Sequence, residues 1–276
     1  MNQTLTAHPI AHSSVQPFDR QPIALDTLTT SKTASFQPHS SRRDSSVISP
    51  PKESLSTATT SLNLFNFSQS PTQTETFTDS RSKATALFKN SNAFASGDSN
   101  ATFIGGLNAP IAETNVAINT FNLASGIGKR YNADSSSIAI VKGLGFYIAP
   151  KEVFKFDFNG LTTLGAESTS SRENAFARSK TRIVIYATDS HGTQTPIDRL
   201  LISTRQTAKG SELNLKASNG FGLSATIQPL SLTSNELSFN GTYSRTFDTA
   251  TQLSFIATQT AQTKASRSRH RQSHHR

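Results

Sequence analysis

Residues 153–160 read Val-Phe-Lys-Phe-Asp-Phe-Asn-Gly, and this alternation constrains the fold more than any other stretch. Successive side chains of a β-strand point to opposite faces. Phe154, Phe156 and Phe158 therefore face one way, and Lys155 and Asp157 the other, as in a half-buried strand. Asn159-Gly160 is a turn signal, which predicts that Leu161 to Leu164 returns as the hairpin partner.

The same period of two recurs along the second part of the chain. Thr114 to Phe121 reads as a strand carrying Val116 and Ile118 on one face. Ser137 to Ala149 is a longer apolar run, and its Gly143 and Gly145 suggest a bulge or close approach of another backbone. Ala175 to Thr188 is apolar on both faces at Ile183-Val184-Ile185-Tyr186, which predicts a central strand. Asp189-Ser190-His191-Gly192 turns the chain into Ile197 to Thr204. Ser211 to Lys216 and the face of Phe221, Leu223, Ala225 and Ile227 flank a turn at Asn219-Gly220. Glu236 to Tyr243 places Leu237 and Phe239 inward, with a bulge at Asn240-Gly241, and Gln252 to Thr260 closes the set.

Nine or ten short strands separated by turn residues predict an all-β antiparallel sandwich, of which a jelly roll is one form. The predicted organisation is an arm over residues 1–100, a sandwich over 101–263 and a basic tail over 264–276. The arm is rich in Ser, Thr, Gln and Pro with isolated apolar residues, so it is expected to be disordered. Leu62-Asn63-Leu64-Phe65-Asn66-Phe67 alternates, yet the composition around it favours a fluctuating apolar patch over a strand or docking motif.

Composition narrows the chemistry. The chain has no cysteine, so it has no disulfide and no thiolate metal site. Its first 20 residues lack the basic start and apolar run of a standard signal peptide. No stretch reaches the ~18–20 apolar residues of a membrane-spanning helix. Net charge is +9, and the last 13 residues carry Lys264, Arg267, Arg269, Arg271 and Arg276 with no acid. These five residues are the candidate polyanion-binding group, because cations that neutralise phosphates release counterions. His270, His274 and His275 would add charge below about pH 6.5. A plain solubilising terminus is the competing reading.

Catalytic patterns are weak. His191 is the one histidine of the predicted sandwich, and it reads as a turn residue beside Asp189. Glycoside hydrolysis needs two carboxyl groups roughly 5–10 Å apart. Asp157, Glu152, Glu167 and Glu173 are the candidates, with solvated strand faces as their ordinary role. Gly126-Ile127-Gly128-Lys129-Arg130 lacks the spacing of a phosphate loop and reads as a basic loop. No cofactor motif is found.

Val153–Gly160, taken with Gly241-Thr242-Tyr243-Ser244-Arg245-Thr246-Phe247-Asp248, resembles a group of uncharacterised cyanobacterial exported β-sandwich proteins over about residues 135–263. That resemblance implies a sandwich fold, an extracellular or cell-surface habitat and no defined activity. Three functions follow as expectations. The first is a non-enzymatic structural or surface module contacting a glycan or a cell-envelope component. The second is polyanion or nucleic-acid binding through the basic tail. The third is a glycan-cleaving hydrolase.

Overall fold

The computed structural model describes residues 53–106, 110–189 and 191–267. They form an antiparallel sandwich of two six-stranded sheets. The strands are β1 Ser54–Phe65, β2 Gln73–Ala86, β3 Asn92–Ile104, β4 Asn115–Ile127, β5 Tyr131–Ile148 and β6 Val153–Glu167, followed by β7 Glu173–Thr188, β8 Gln194–Thr207, β9 Gly210–Ala217, β10 Phe221–Ser231, β11 Ser234–Thr246 and β12 Thr251–Arg267. Sheet A runs β10-β11-β6-β1-β4-β3, and sheet B runs β2-β5-β12-β7-β8-β9. No helix among the described residues is long and apolar enough to cross a membrane.

The expected sandwich stands, but its start moves from 101 to 54. β1, β2 and most of β3 lie in the stretch expected to be a disordered arm. β1 sits inside sheet A, paired to β4 on one side and β6 on the other. Its inward residues begin Ser54, Ser56, Ala58 and Thr60 before reaching Leu62 and Leu64. These small, polar side chains give no hydrophobic signal, yet they are buried and bonded. The Ser56 hydroxyl donates to the Phe176 carbonyl, and the Thr60 and Thr120 hydroxyls share a hydrogen bond of 2.7 Å. Leu62 to Phe65 therefore ends a strand, and Phe67 stacks on Phe156 at 5.2 Å. The expected arm's residues 1–52 lie outside the described residues.

The other sheet-forming expectations divide. β7 is central, between β12 and β8, with Ile183, Val184 and Ile185 buried. Asn219-Gly220 and the Asp189–Gly192 stretch do turn the chain between strands. The Asn159-Gly160 turn is not formed; β6 runs straight through it to Glu167. The Asn240-Gly241 bulge is also absent, because β11 keeps register across it with both neighbours. The reason is packing. A Cβ on Gly160 would lie 2.2 Å from Cζ of Phe239, and one on Gly241 would lie 2.5 Å from Cζ of Phe158. Both glycines make room for rings inside one sheet.

The interior has two zones. One is aromatic: Phe67, Phe146, Phe154, Phe156, Phe255 and Tyr243 are buried together. Ring centroids are 5.0 Å apart for Phe146–Phe154 and 5.3 Å for Phe156–Tyr243. The other zone is built from alanine, hydroxyls and amides. Ser179 bonds Thr204 at 2.9 Å, Ser135 donates to Asn122 at 2.8 Å, and Asn235 donates to Gln206 at 2.7 Å. Buried polar groups of this kind carry no penalty only when they are paired.

Candidate functional site: a basic outer face on sheet B

Sheet B needs one apolar face toward the core, and its other face is free to carry charge. Along β7 the inward residues Ala177, Ser179, Thr181 and Ile183 are buried, so Arg178, Lys180 and Arg182 project outward. At two residues per repeat they stand roughly 6.8 Å apart in a row. β8 and β9 extend the row sideways. Arg199 pairs in register with Val184 of β7, and Lys216 lies beside Leu201, which opposes Arg182. Lys264 of β12 projects from the same face, between Asp134 of β5 and Phe176 of β7. No carboxylate lies within 4.0 Å of these side chains among the described residues, whereas Lys142, Arg81 and Arg205 have theirs in Glu75, Asp79 and Glu212.

The face is not flat. One depression of about 520 Å3 is lined by Arg81, Arg178, Lys180, Ser136, Ser203 and Gln262 among others. A second is lined by Lys180, Arg182, Arg199, Leu201 and Lys216. Lys180 borders both, so the two depressions adjoin as a mainly basic trough; its one acid, Asp79, sits at the β2 end, where it pairs with Arg81.

Sheet A is the contrast. Its outward charged strand residues are Lys155, Asp98, Asp157, Glu167 and Glu236. The rest of that face is Ser, Thr and Asn, with the Asn63 amide donating to Asn159 at 3.0 Å. The two faces of one sandwich are thus oppositely charged. A field of this kind orients an approaching polyanion toward sheet B.

The five residues expected to bind polyanions do not act as one tail. β12 continues to Arg267, because Ala261, Thr263 and Ala265 carry on the inward alternation with side chains too small to register as core. Lys264 lies on the outer face of sheet B, beside the β7 row. Arg267 is tied down, donating to the Gly128 carbonyl at 3.0 Å and facing the buried carboxylate of Glu173 at 3.5 Å. Arg269, Arg271, Arg276 and the tail histidines lie outside the described residues. Of Gly126–Arg130, the first two residues end β4 and the other three link it to β5, where the Lys129 and Arg130 amides donate to Ser91 Oγ. The trough residues of β7 and β8 were missed in the sequence because they are spaced singly among apolar residues. Only strand periodicity, followed as carefully for charges as for rings, would have shown that they share a face.

Three of the four carboxylates expected to pair for hydrolysis are committed to other partners. Asp157 accepts from Asn66 at 2.8 Å and from Thr242 at 2.8 Å, and these bonds hold it below the usual carboxylate range. Glu152 accepts from the Ala149 amide at 3.0 Å; Glu173 accepts from Thr169 and forms an ion pair with Arg267. Glu167 is exposed at the end of β6. His191 sits in the turn, where its amide and that of Thr193 donate to Asp189. No group of three or more metal-binding side chains occurs among the described residues.

One acid does have a concentrated environment. Asp198 of β8 is 6% exposed and accepts from Tyr243 Oη at 2.9 Å and from Arg245 Nη1 at 2.7 Å. Arg245 also lies over the Phe247 ring at 5.6 Å. This clasp joins sheet B to sheet A and gives the Gly-x-Tyr-x-Arg-x-Phe-Asp segment a structural role. Burial of Asp198 raises its pKa, but hydrogen bonds from Ser218, Arg245 and Tyr243 outweigh that and hold the carboxyl below its usual range. The stabilisation is therefore present above the unfolded pKa of about 3.9 and is lost as pH falls through the lower folded value. Asp198→Asn is expected to lower stability by about 1–3 kcal/mol at pH 7, the range for charge-assisted hydrogen bonds. Thermal melts from pH 7 to pH 3 should show the gap to the parent protein closing below about pH 4. A gap that stays constant over that range would remove the clasp as a charged device.

The fold and this face define an all-β sandwich with charge-segregated outer surfaces. Comparison with protein-family models, curated proteins and solved structures finds no match. The likeness to cyanobacterial exported sandwich proteins thus rests on its two sequence segments.

Proposed function

We propose that the protein is a non-enzymatic β-sandwich module that holds a linear polyanion against the outer face of sheet B. The ligand class is the backbone of a nucleic acid or an acidic polysaccharide. The observation that carries this reading is the row Arg178, Lys180 and Arg182, flanked by Arg199 and Lys264, with no carboxylate within ion-pair distance among the described residues. The regular spacing along a rigid strand suits a repeating anion better than a single small one. An acidic polysaccharide would join this reading to the glycan-contacting and cell-surface role that the resemblance implies. The dispersal of the candidate acids supports a binding role over a hydrolytic one.

Affinity for duplex DNA and for a sulfated polysaccharide, measured across salt concentrations, tests the proposal. Log affinity should fall linearly with log salt for at least one of them. Replacing Arg178, Lys180 and Arg182 together by Gln should reduce the DNA slope by about 2 to 3, close to 0.9 per lost phosphate contact. Absence of binding to both polymers, or binding that ignores salt, would end the proposal.

A further inference from the structure

We infer that β9 is a dimerisation edge, pairing antiparallel with β9 of a second copy about a two-fold axis through Asn214. β9 is the last strand of sheet B and, among the described residues, pairs only with β8. All its residues are exposed. Leu213 and Leu215 lie on the inner side, 37% and 39% exposed, although Thr204 and Ile202 beside them on β8 are buried. β9 thus overhangs the sandwich and presents both a row of unpaired backbone groups and an uncovered apolar side.

The other sheet edges are guarded. β2 and β3 close on one another through the Ser80 and Ser99 hydroxyls at 2.9 Å. β10 carries Pro229 and a register shift near its end at Ser231. Proline, bulges and inward charges are the usual protections of an edge strand. β9 has no proline, keeps register with β8, and carries both its charges, Glu212 and Lys216, on the outer face.

Charge complementarity identifies the occupant. Directly opposed residues of an antiparallel pair share a face. A two-fold axis through Asn214 places Glu212 of each copy opposite Lys216 of the other, and Leu213 opposite Leu215. An axis through Leu213 opposes Glu212 to Asn214, and one through Leu215 opposes Lys216 to Asn214. One register therefore satisfies both charges and all four leucines. The Arg205–Glu212 contact is 4.0 Å long and leaves Glu212 77% exposed, so it does not compete. The pairing joins two B sheets into one and leaves Arg178, Lys180, Arg182 and Arg199 uncovered; Lys216, at the border of the trough, is the one residue the two readings share, and the dimer is read by mass and not by polyanion affinity.

Sedimentation of the full chain should give twice its mass of 29.7 kDa. Glu212→Lys and Lys216→Glu should each weaken the dimer about tenfold, because like charges then meet at two places. Combining the two reversals should restore it. The chain has no cysteine, so Asn214→Cys should yield a disulfide-linked dimer on mild oxidation while Ser211→Cys does not. Opposed Cα atoms about 4.5–5.5 Å apart fall within disulfide reach. Circular dichroism confirms that each variant is folded. A monomer at micromolar concentration, or a dimer indifferent to both single reversals, would overturn the inference.

Discussion

A chain that starts at residue 101 is expected to show no cooperative melting transition, while the full-length protein shows one. The shortened chain keeps the segments expected to form the sandwich and loses β1, β2 and most of β3. β1 bridges β4 and β6, pairing with one from Ser54 to Leu64 and with the other from Leu55 to Phe65. Without it, sheet A falls into two pieces, and each gains an unpaired edge that was buried. Buried backbone groups left without partners are costly, and open edges invite association with other chains. The loss also removes Leu62, Leu64 and Phe67 from the aromatic zone. Because native domains are stable by only about 5–15 kcal/mol, such a loss exceeds the whole margin. Far-ultraviolet circular dichroism during heating decides the matter. A shortened chain that melts cooperatively near the full-length temperature would place β1 outside the folding unit.

Phe156→Ala is the point substitution expected to destabilise most. The ring lies at 5.2 Å from Phe67, 5.3 Å from Tyr243, 6.1 Å from Phe255 and 6.4 Å from Phe221. It therefore contacts β10, β11 and β12 as well as the segment after β1, and it is fully buried. Truncating a buried phenylalanine costs about 3–5 kcal/mol, since the surroundings collapse only partly into the gap. For a folded unit of this size the melting temperature should drop by roughly 6–20 °C. Phe94, 53% exposed, serves as the control. Phe94→Ala should change stability by less than about 0.5 kcal/mol. Equal effects of the two substitutions would show that the aromatic zone is not the stabilising centre.

These two results mark what was legible in the sequence. The aromatic zone was legible, because Phe154, Phe156 and Phe158 combine strand period with large side chains. The hydroxyl-and-amide zone was not. Ser54, Ser56, Thr60, Ser179 and Thr263 are buried by alternation alone, and their composition is that of an unfolded segment. A search for apolar faces therefore started the domain late and ended it early. The glycine turns failed for a related reason. Asn159-Gly160 and Asn240-Gly241 are turn signals by local preference, but Gly160 and Gly241 serve as sockets for Phe239 and Phe158. Tertiary packing overrode a local rule.

The candidate site shows the same asymmetry. A dense basic run at the chain end was conspicuous. The row on β7 was not, because its three cations are separated by the buried Ser179 and Thr181. Only the pairing of β7 with β8 and β12 brings Arg199 and Lys264 to that row. Charge contrast between the two outer faces is likewise a property of register, invisible in net charge.

The proposed function places the polyanion on the β7 row and not on the chain end. The most direct test compares two variants in one titration with a linear polyanion that the full-length protein binds. One ends at Arg267 and so lacks Arg269, Arg271 and Arg276. The other is full length with Arg178, Lys180 and Arg182 replaced by Gln. The shortened variant should bind within about threefold of the parent at moderate salt, while the triple variant should lose about tenfold or more. Loss of binding in the shortened variant together with retention in the triple variant would contradict the claim.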